Sequence, residues 1–324
     1  MLELPDSWVW DSWVLDDGRA YHLFFLRASR ALHDPDRRHH RASIGHATSD
    51  DLRTWSVRPD ALVHADQPAW DDLATWTGSS VLDDDGRCWL FYTGLSHAEG
   101  GRVQRIGAAV SDDLVSWTRV GNRPLLVSDA RWYETDEQRE WVDVTWRDPF
   151  VVRDPGGDGW HMLLTARAAT GASGGRGVIG HARSSDLLRW EVLPPMSEPV
   201  GFAWLEVPQV HVIDGRPVLV FSCWSDRAAT GSPSLGGSRG DDEPGAPGGV
   251  WTVPGASLLG PWRFDQATPL NVPSFYAGHL VRERDGTWSA MGFRDGEGDR
   301  FSGSIGDPIP VRHNGDRLVV TSEP

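Results

Sequence analysis

Short apolar runs separated by polar turns make up most of the chain, and no segment shows a sustained helical period. One pattern recurs at 44–55, 106–117 and 179–190 as IGHATSDDLRTW, IGAAVSDDLVSW and IGHARSSDLLRW, with a weaker copy at 249–262. Each copy predicts a strand, a polar turn and a second strand that opens with tryptophan. A recurring pattern of this kind indicates a fold assembled from one repeated unit.

A second repeat precedes each of these segments and consists of an Asp/Gly turn followed by an apolar strand. Its five copies are DDGRAYHLFFL, DDDGRCWLFYTG, GGDGWHMLLTAR, DGRPVLVFSCW and RDGTWSAMGFRD. Asp-Gly between apolar runs is a strong hairpin signal, and one more short strand lies before each turn, in WDSWVL, TGSSVL, RDPFVV, EVPQVHVI and YAGHLV. Five units of four antiparallel strands predict an all-β, five-bladed β-propeller that occupies residues 1–324 as a single domain. A two-domain sandwich would lack this period.

Composition narrows the range of partners and cofactors. The net charge of −15 argues against a nucleic-acid partner, and no apolar run is long enough for a membrane helix or a signal segment, so we expect a cytoplasmic protein. Cys88 and Cys223 lie in apolar runs and are expected to be buried small side chains. His46 and His181 occupy equivalent repeat positions, which favours a packing role. The histidines show no zinc-ligand spacing, and neither a metal nor a cofactor is predicted.

Acidic residues open three of the five predicted first strands. Asp11, Asp148 and Glu206 hold nearly the same position in blades 1, 3 and 4. The first strand of a propeller blade lines the central channel, so the three carboxylates should converge at one mouth of that channel. Buried carboxylates are costly unless they are paired, and they shift one another's pKa. Glycoside hydrolysis needs such a pair of acids. The alternative is that these acids cap strand ends or pair with Arg147.

The motifs WDSW, TGSS, RDP and EVP, in this order and each opening its own blade, resemble the fructan-active glycoside hydrolases of families 32 and 68. Those enzymes share a five-bladed propeller and a retaining mechanism. The resemblance implies that Asp11 is the nucleophile, that Asp148 stabilises the transition state and that Glu206 is the general acid/base. The substrate-binding set that we predict beside them consists of Trp10, Trp76, Ser79, Arg147 and His279, of which Arg147 would also hold or tune the carboxylates.

Two departures from the family patterns leave the reaction open. WDSW is similar to family 68, whose members often transfer fructose, whereas Val207 in EVP is similar to family 32, mostly hydrolases. The C-terminal β-sandwich usual in family 32 is not expected, because the chain ends just after blade 5. We therefore expect cleavage of β-fructofuranosyl bonds in sucrose or short fructans, with a small-molecule sugar as the partner. The alternatives are a fructosyltransferase, an inverting arabinosidase or xylosidase, and a non-catalytic sugar-binding propeller. The oligomeric state does not follow from the sequence.

Two loops are predicted on the face of the propeller that carries the acids. The stretch 227–249 is rich in glycine, proline and serine and is either a lid or a disordered insertion. The segment 27–42 is basic in an acidic protein, and it contains Arg37, Arg38, His39, His40 and Arg41. It is either a solvated loop or a subsite for an anionic group on the substrate.

Overall fold

Five antiparallel sheets follow one another along the chain. The computed structural model describes residues 1–223, 249–272, 275–294 and 301–321. Within these ranges the regular secondary structure is almost entirely β-strand, and the helices are short 3-10 helices. The sheets are the five blades of a β-propeller, so the fold predicted from the repeats is confirmed.

The short strand β1 (Leu2–Glu3) precedes the first blade. Blade 1 contains β2 (Ser7–Asp16), β3 (Tyr21–Ser29), β4 (Ser43–Ser49) and β5 (Ser56–Leu62). Blade 2 contains β6 (Ala74–Leu82), β7 (Cys88–Leu95), β8 (Arg105–Ser111) and β9 (Thr118–Arg119). Blade 3 contains β10 (Trp146–Arg153), β11 (Trp160–Arg167), β12 (Gly177–Ser184) and β13 (Glu191–Leu193). Blade 4 contains β14 (Glu206–Ile213), β15 (Arg216–Cys223), β16 (Gly249–Pro254) and β17 (Thr268–Pro269).

Blade 5 departs from the prediction of four strands because its sheet contains six described strands. They are β18 (Phe275–Arg282), β19 (Trp288–Arg294), β20 (Ser304–Ile305), β21 (Ile309–Asn314), β22 (Arg317–Val320) and the N-terminal β1. Both β20 and β21 pair with β19, so the third strand is one edge interrupted near Pro308, which cannot donate to a ladder. The outer edge is likewise shared, since β1 pairs with β20 and β22 pairs with β21. The N-terminal strand thereby closes the ring.

The repeated SDDL-type turns connect the third and fourth strands of blades 1 to 3. In each turn one aspartate accepts hydrogen bonds from two backbone N–H groups ahead of it, as Asp51 does from Arg53 and Thr54 at 2.9 and 2.7 Å. The following leucine is in the left-handed region, with φ of 61° at Leu52 and Leu114. The turn is therefore stabilised by the side-chain acceptor that the repeat conserves from blade to blade.

The hydrophobic core lies between the blades. One cluster joins blades 5, 1 and 2, and three further clusters fill the spaces between blades 2 and 3, 3 and 4, and 4 and 5. Cys88 and Cys223 are each 1% exposed, as predicted. His46 and His181 are also packing residues, since each ring stacks on a histidine of the neighbouring strand and shares a hydrogen bond with it, at 3.0 and 2.8 Å.

The two predicted loops differ in what the structure describes. The segment 27–42 contains two 3-10 helices, Arg30–Leu32 and Pro35–Arg41, and it lies at the channel mouth. The predicted lid at 227–249 lies outside the described residues except for its last position. Among the residues that the structure describes, no helix is long and apolar enough to cross a membrane.

Candidate active site

The first strand of every blade is irregular at the same point. The pairing register with the second strand shifts after Trp10, Trp76, Arg147, Glu206 and Tyr276. Such bulges bend a strand and redirect its side chains, and they occur often beside active sites. Five bulges in a ring therefore direct side chains into the mouth of the channel.

The backbone at these bulges is unusual. A positive φ is found at Asp11 (20°), Asp148 (56°), Val207 (49°) and Ala277 (45°), a region that L-residues seldom adopt. In blade 2, Gly78 permits the close approach of the second strand, because a Cβ atom there would lie 1.8 Å from the carbonyl oxygen of Phe91. The TGSS motif thus has a steric reason for its glycine.

A cavity of about 240 Å³ opens at this mouth, and we call it the catalytic cavity. Its lining residues are Trp10, Asp11, Leu26, Arg38, His39, Trp76, Thr77, Asp143, Arg147, Asp148, Glu206, Val207, Tyr276 and Phe293. The structure therefore brings together six of the eight residues that the sequence indicated. The other two, Ser79 and His279, do not line it.

Asp11 is held by a neighbouring blade. The hydroxyl of Thr77 donates to Asp11 Oδ2 at 2.5 Å, which orients the carboxyl group. Burial, followed by the negative charge of Asp148, raises the pKa of Asp11 from 3.8 to about 7. The hydrogen bond from Thr77 opposes this shift. The Asp11 carboxyl can therefore gain or lose its proton near neutral pH.

Asp148 is 5% exposed and forms the floor of the catalytic cavity. Its Oδ2 accepts from the hydroxyl of Thr165 at 2.8 Å and from the backbone N–H of Val207 at 3.3 Å. Burial raises the pKa of Asp148 to about 6, while the guanidinium group of Arg147 opposes the increase. Two hydrogen-bond donors therefore hold one oxygen of the Asp148 carboxylate in a fixed position.

Glu206 accepts hydrogen bonds on both of its carboxyl oxygens. Arg147 Nη2 donates to Oε1 at 2.6 Å, and the hydroxyl of Tyr276 donates to Oε2. Arg147 Nε also lies 3.6 Å from Asp148 Oδ2, so one guanidinium group bridges two of the three acids. Burial and the charge of Glu206 raise the pKa of Tyr276 well above 10, which keeps its hydroxyl protonated. The predicted role of Arg147 in holding the carboxylates fits these contacts.

Aromatic rings form the outer wall. The ring of His39 makes edge contacts with the indoles of Trp10 and Trp76, at centroid distances of 6.3 and 6.1 Å, and its backbone oxygen accepts from Trp76 Nε1 at 2.6 Å. The guanidinium of Arg38 lies 5.6 Å from the Trp10 ring and 4.0 Å from that of Phe301. The basic segment therefore contributes directly to the wall through Arg38 and His39.

Ser79 and His279 lie further along the channel, beside a second cavity of about 100 Å³ that we call the lower cavity. The Ser79 hydroxyl accepts from the backbone N–H of Val151 at 3.1 Å and so connects blades 2 and 3. His279 is 6% exposed. Asp148 and Val207 border both cavities. The predicted contact of these two residues with the sugar therefore has no support from their positions.

Sequence reasoning missed several residues of the catalytic cavity. Thr77 and Tyr276 occupy strand-start positions equivalent to those of Asp11 and Glu206, and an alignment of the five blades could have found them. Asp143, a fourth carboxylate, lies 3.9 Å from Arg147 Nη1 and accepts from Gln104 Nε2 at 3.1 Å. It lies in the loop before β10, where no repeat marks it.

No metal centre is found in the part of the chain that the structure describes, since no group of three or more His, Cys, Asp or Glu side chains there could hold an ion. The functional groups that line the catalytic cavity include carboxyl, hydroxyl and guanidinium groups. Clustered carboxylates between aromatic walls at the channel mouth of a five-bladed propeller are the arrangement expected of a carbohydrate-active propeller.

Comparison with known families identifies the class more closely. The model of the glycosyl hydrolases family 32 N-terminal domain matches residues 13–235, more than half of the chain, and the chain belongs to this family. The match begins two residues after Asp11. The match therefore includes the TGSS, RDP and EVP motifs but only the last residue of WDSW.

Individual relatives are distant. Sucrose-6-phosphate hydrolase of Bacillus subtilis (strain 168) is 29% identical over 212 residues, which are 63% of this chain and 38% of that protein. An insoluble β-fructofuranosidase isoenzyme of Arabidopsis thaliana is 28% identical over 199 residues, 58% of this chain and 32% of that protein. The chain thus spans about a third of the length of these relatives. Inulosucrase from Halalkalicoccus jeotgali, bound to kestose, shares the fold with a TM-score of 0.78 and 24% identity, over 98% of this chain and 88% of that one.

Proposed function

We propose that this protein cleaves β-fructofuranosyl bonds of sucrose or short fructo-oligosaccharides by hydrolysis with retention of configuration. The observation that carries the proposal is the convergence of Asp11, Asp148 and Glu206 on one cavity walled by Trp10 and Trp76. Flat indole faces suit the apolar faces of a sugar ring, and two carboxyl groups are what glycoside cleavage needs. The family 32 membership of the chain supports the same substrate class.

In the first step, Glu206 donates a proton to the glycosidic oxygen while a carboxylate oxygen of Asp11 attacks the anomeric carbon. The bond to the leaving sugar breaks, and a covalent fructosyl ester of Asp11 forms. The hydrogen bond from Thr77 holds the Asp11 carboxylate in one orientation for this attack. Asp148, on the cavity floor, stabilises the positive charge that develops on the ring and accepts from sugar hydroxyls.

In the second step, Glu206 acts as a base. It removes a proton from a water molecule whose oxygen attacks the anomeric carbon, and the ester bond to Asp11 breaks. Arg147 and Tyr276 hold the two oxygens of Glu206, so its carboxyl group keeps one position through both steps. Two inversions restore the original configuration.

One terminal fructosyl unit would bind in the catalytic cavity, and the leaving group of the substrate would lie toward solvent. Arg38 in the wall and the similarity to a sucrose-6-phosphate hydrolase favour including phosphorylated sucrose among the substrates tested. We further propose that residues 1–324 act as one propeller domain. Action in the cytoplasm stays a prediction.

The test is a substrate panel of sucrose, sucrose 6-phosphate, inulin, levan, raffinose and nitrophenyl pentosides, with free glucose and fructose both quantified. Equal amounts of the two sugars from sucrose indicate hydrolysis, whereas a deficit of fructose indicates transfer. Proton NMR of the first product reports retention, and inversion would move the protein to the inverting pentosidases. Glu206→Gln is the inactive control. No turnover of any fructoside, with sugar binding intact, would instead indicate a binding propeller.

A further inference from the structure

The lower cavity belongs to the central channel. The first strands of all five blades contribute to its wall, from Ser12 in blade 1 to His279 in blade 5. It begins immediately below the layer that carries Asp148 and Val207, because both residues also line the catalytic cavity. The catalytic floor is therefore a thin layer with a second compartment beneath it.

Three polar atoms of residues that line the lower cavity are buried and have no hydrogen-bond partner among the described residues. They are Ser12 Oγ and both ring nitrogens of His279. Ser12 is 1% exposed and His279 is 6% exposed. Buried polar groups in folded proteins are almost always hydrogen-bonded, to protein or to ordered water. Their convergence on one cavity thus indicates an occupant that forms hydrogen bonds.

The lining determines the chemistry of this occupant. The wall contains no lysine or arginine, which disfavours an anion. Burial, and then the neighbouring His211, lowers the pKa of His279 to about 3, so the imidazole is neutral. A neutral imidazole has one donor and one acceptor nitrogen. The volume of about 100 Å³ exceeds the ~10–15 Å³ that one water molecule needs, so the lower cavity has room for several water molecules.

We propose that the lower cavity is a permanent water site, and that His279 holds its water molecules against the layer that carries Asp148. The charged and titratable groups around Asp148 are Asp11 from blade 1, Arg147 beside it in β10, and Glu206 from blade 4. Burial is the largest influence on the pKa of Asp148, and it disfavours the ionised carboxylate. Water beneath the floor would solvate this carboxylate and so counteract the effect of burial on its pKa. His279 is therefore a positioning residue, which acts on the acid through water.

A crystal structure at a resolution that shows ordered water tests the site directly. We expect ordered water molecules in the lower cavity, with hydrogen bonds to His279 and Ser12. In His279→Leu, which removes both ring nitrogens, we expect most of them to be lost. A dry cavity in the wild type, or a cation bound to His279, would overturn the proposal. This readout does not depend on any substrate, so it is separate from the proposed fructosidase activity.

The pH profile of kcat/KM tests the positioning role. Asp11 titrates first, near pH 7, and Asp148 follows near pH 6, so Asp148 sets the lower part of the acidic limb. His279→Leu should move this lower part upward by about 0.5–1 pH unit, which is a ~3–10-fold loss of kcat/KM below it. His279→Gln, which keeps a donor and an acceptor, should return the limb toward its wild-type position. A limb that stays in place although the His279→Leu crystals have lost the water would refute this role. A fall in folded protein alone would lower activity at every pH without moving the limb.

Discussion

Asp11→Asn should abolish activity and, at the same time, stabilise the fold above neutral pH. Asparagine keeps the shape of the side chain and still accepts from the Thr77 hydroxyl, but it cannot ionise. The native state holds the Asp11 proton up to about pH 7, whereas the unfolded chain releases it near 3.8. The native state therefore binds more protons between these values, and stability falls as the pH rises through this window. Above it, the wild type carries the full cost of the buried charge.

The size of this change in stability follows from the shift in the pKa of Asp11. A change from 3.8 to about 7 sets an upper limit of ~4 kcal/mol, at 1.36 kcal/mol per pKa unit. The cavity is open to water, which screens the charge, so we expect about 1–2 kcal/mol. An unfolding entropy of ~2.1 cal/mol/K per residue over 324 residues gives ~0.7 kcal/mol/K. The melting temperature of Asp11→Asn should thus exceed that of the wild type by about 1.5–3 °C at pH 8.

Calorimetry of both proteins at pH 4.5 and pH 8 is the measurement. The difference between the two melting temperatures should be much smaller at pH 4.5 than at pH 8, because pH 4.5 lies near the lower end of the window that runs from 3.8 to about 7. Asp113→Asn is the matched control of opposite sign, because backbone N–H groups of Val115 and Ser116 hold the pKa of Asp113 at about 2. That variant should melt lower at pH 8. An Asp11→Asn protein that melts no higher than the wild type at pH 8 would refute the burial argument. Activity above a tenth of wild-type kcat would refute the nucleophile assignment, since the loss of such a group costs ~10²–10⁴-fold or more.

Three further predictions concern other parts of the molecule. Tyr276→Phe should lower kcat by about 10–100-fold, because Glu206 loses one of its two hydrogen-bond donors. This loss is smaller than the ~10²–10⁴-fold expected when a general acid itself is removed. An unchanged kcat in steady-state kinetics would exclude a role of Tyr276 in positioning Glu206. Arg38→Ala should reduce kcat/KM several-fold, whereas Arg37→Ala, at an exposed neighbouring position, should leave it unchanged. If Arg38 forms an anionic subsite, the wild type should prefer sucrose 6-phosphate to sucrose, and Arg38→Ala should remove that preference. The absence of either effect would refute the anionic-subsite hypothesis. Burial lowers the pKa of His46 and of His181 to about 4, so their contribution to stability is complete above pH 6.5 and is lost as the pH falls toward 4. Urea unfolding at pH 7 and pH 4.5 should show a smaller loss in the His46→Gln/His181→Gln variant than in the wild type, and an equal loss would contradict the assignment.

The blades were predictable because each contains its own local signals. The Asp-Gly hairpins and the SDDL turns are stabilised by contacts within a few residues, as Asp51 shows, so the sequence pattern alone identifies them. The convergence of Asp11, Asp148 and Glu206 followed from the same repeat, because equivalent positions in a closed ring meet at one place.

Other features depend on contacts that are distant in sequence. Nothing around Asp11 marks a bulge, since neither glycine nor proline is adjacent. In blades 3 and 4, by contrast, Pro149 and Pro208 lie within the bulges. The pairing of Arg147 with Glu206 joins residues of different blades. The position of Arg38 depends on how the segment before β4 folds back over Trp10. Tertiary packing determines each of these three features, and no periodic pattern in the local sequence indicates them.

The shared outer edge of blade 5 has a mechanical consequence. The ring is closed by β1, which pairs with β20 through two residue pairs, whereas β22 pairs with β21 through four. A tensile load applied between the two ends of the chain therefore acts on one blade, and the shorter ladder is its weaker attachment. Under force the seam between blades 5 and 1 would peel open first, while the ladders of blades 2 to 4 carry no load until the ring has opened.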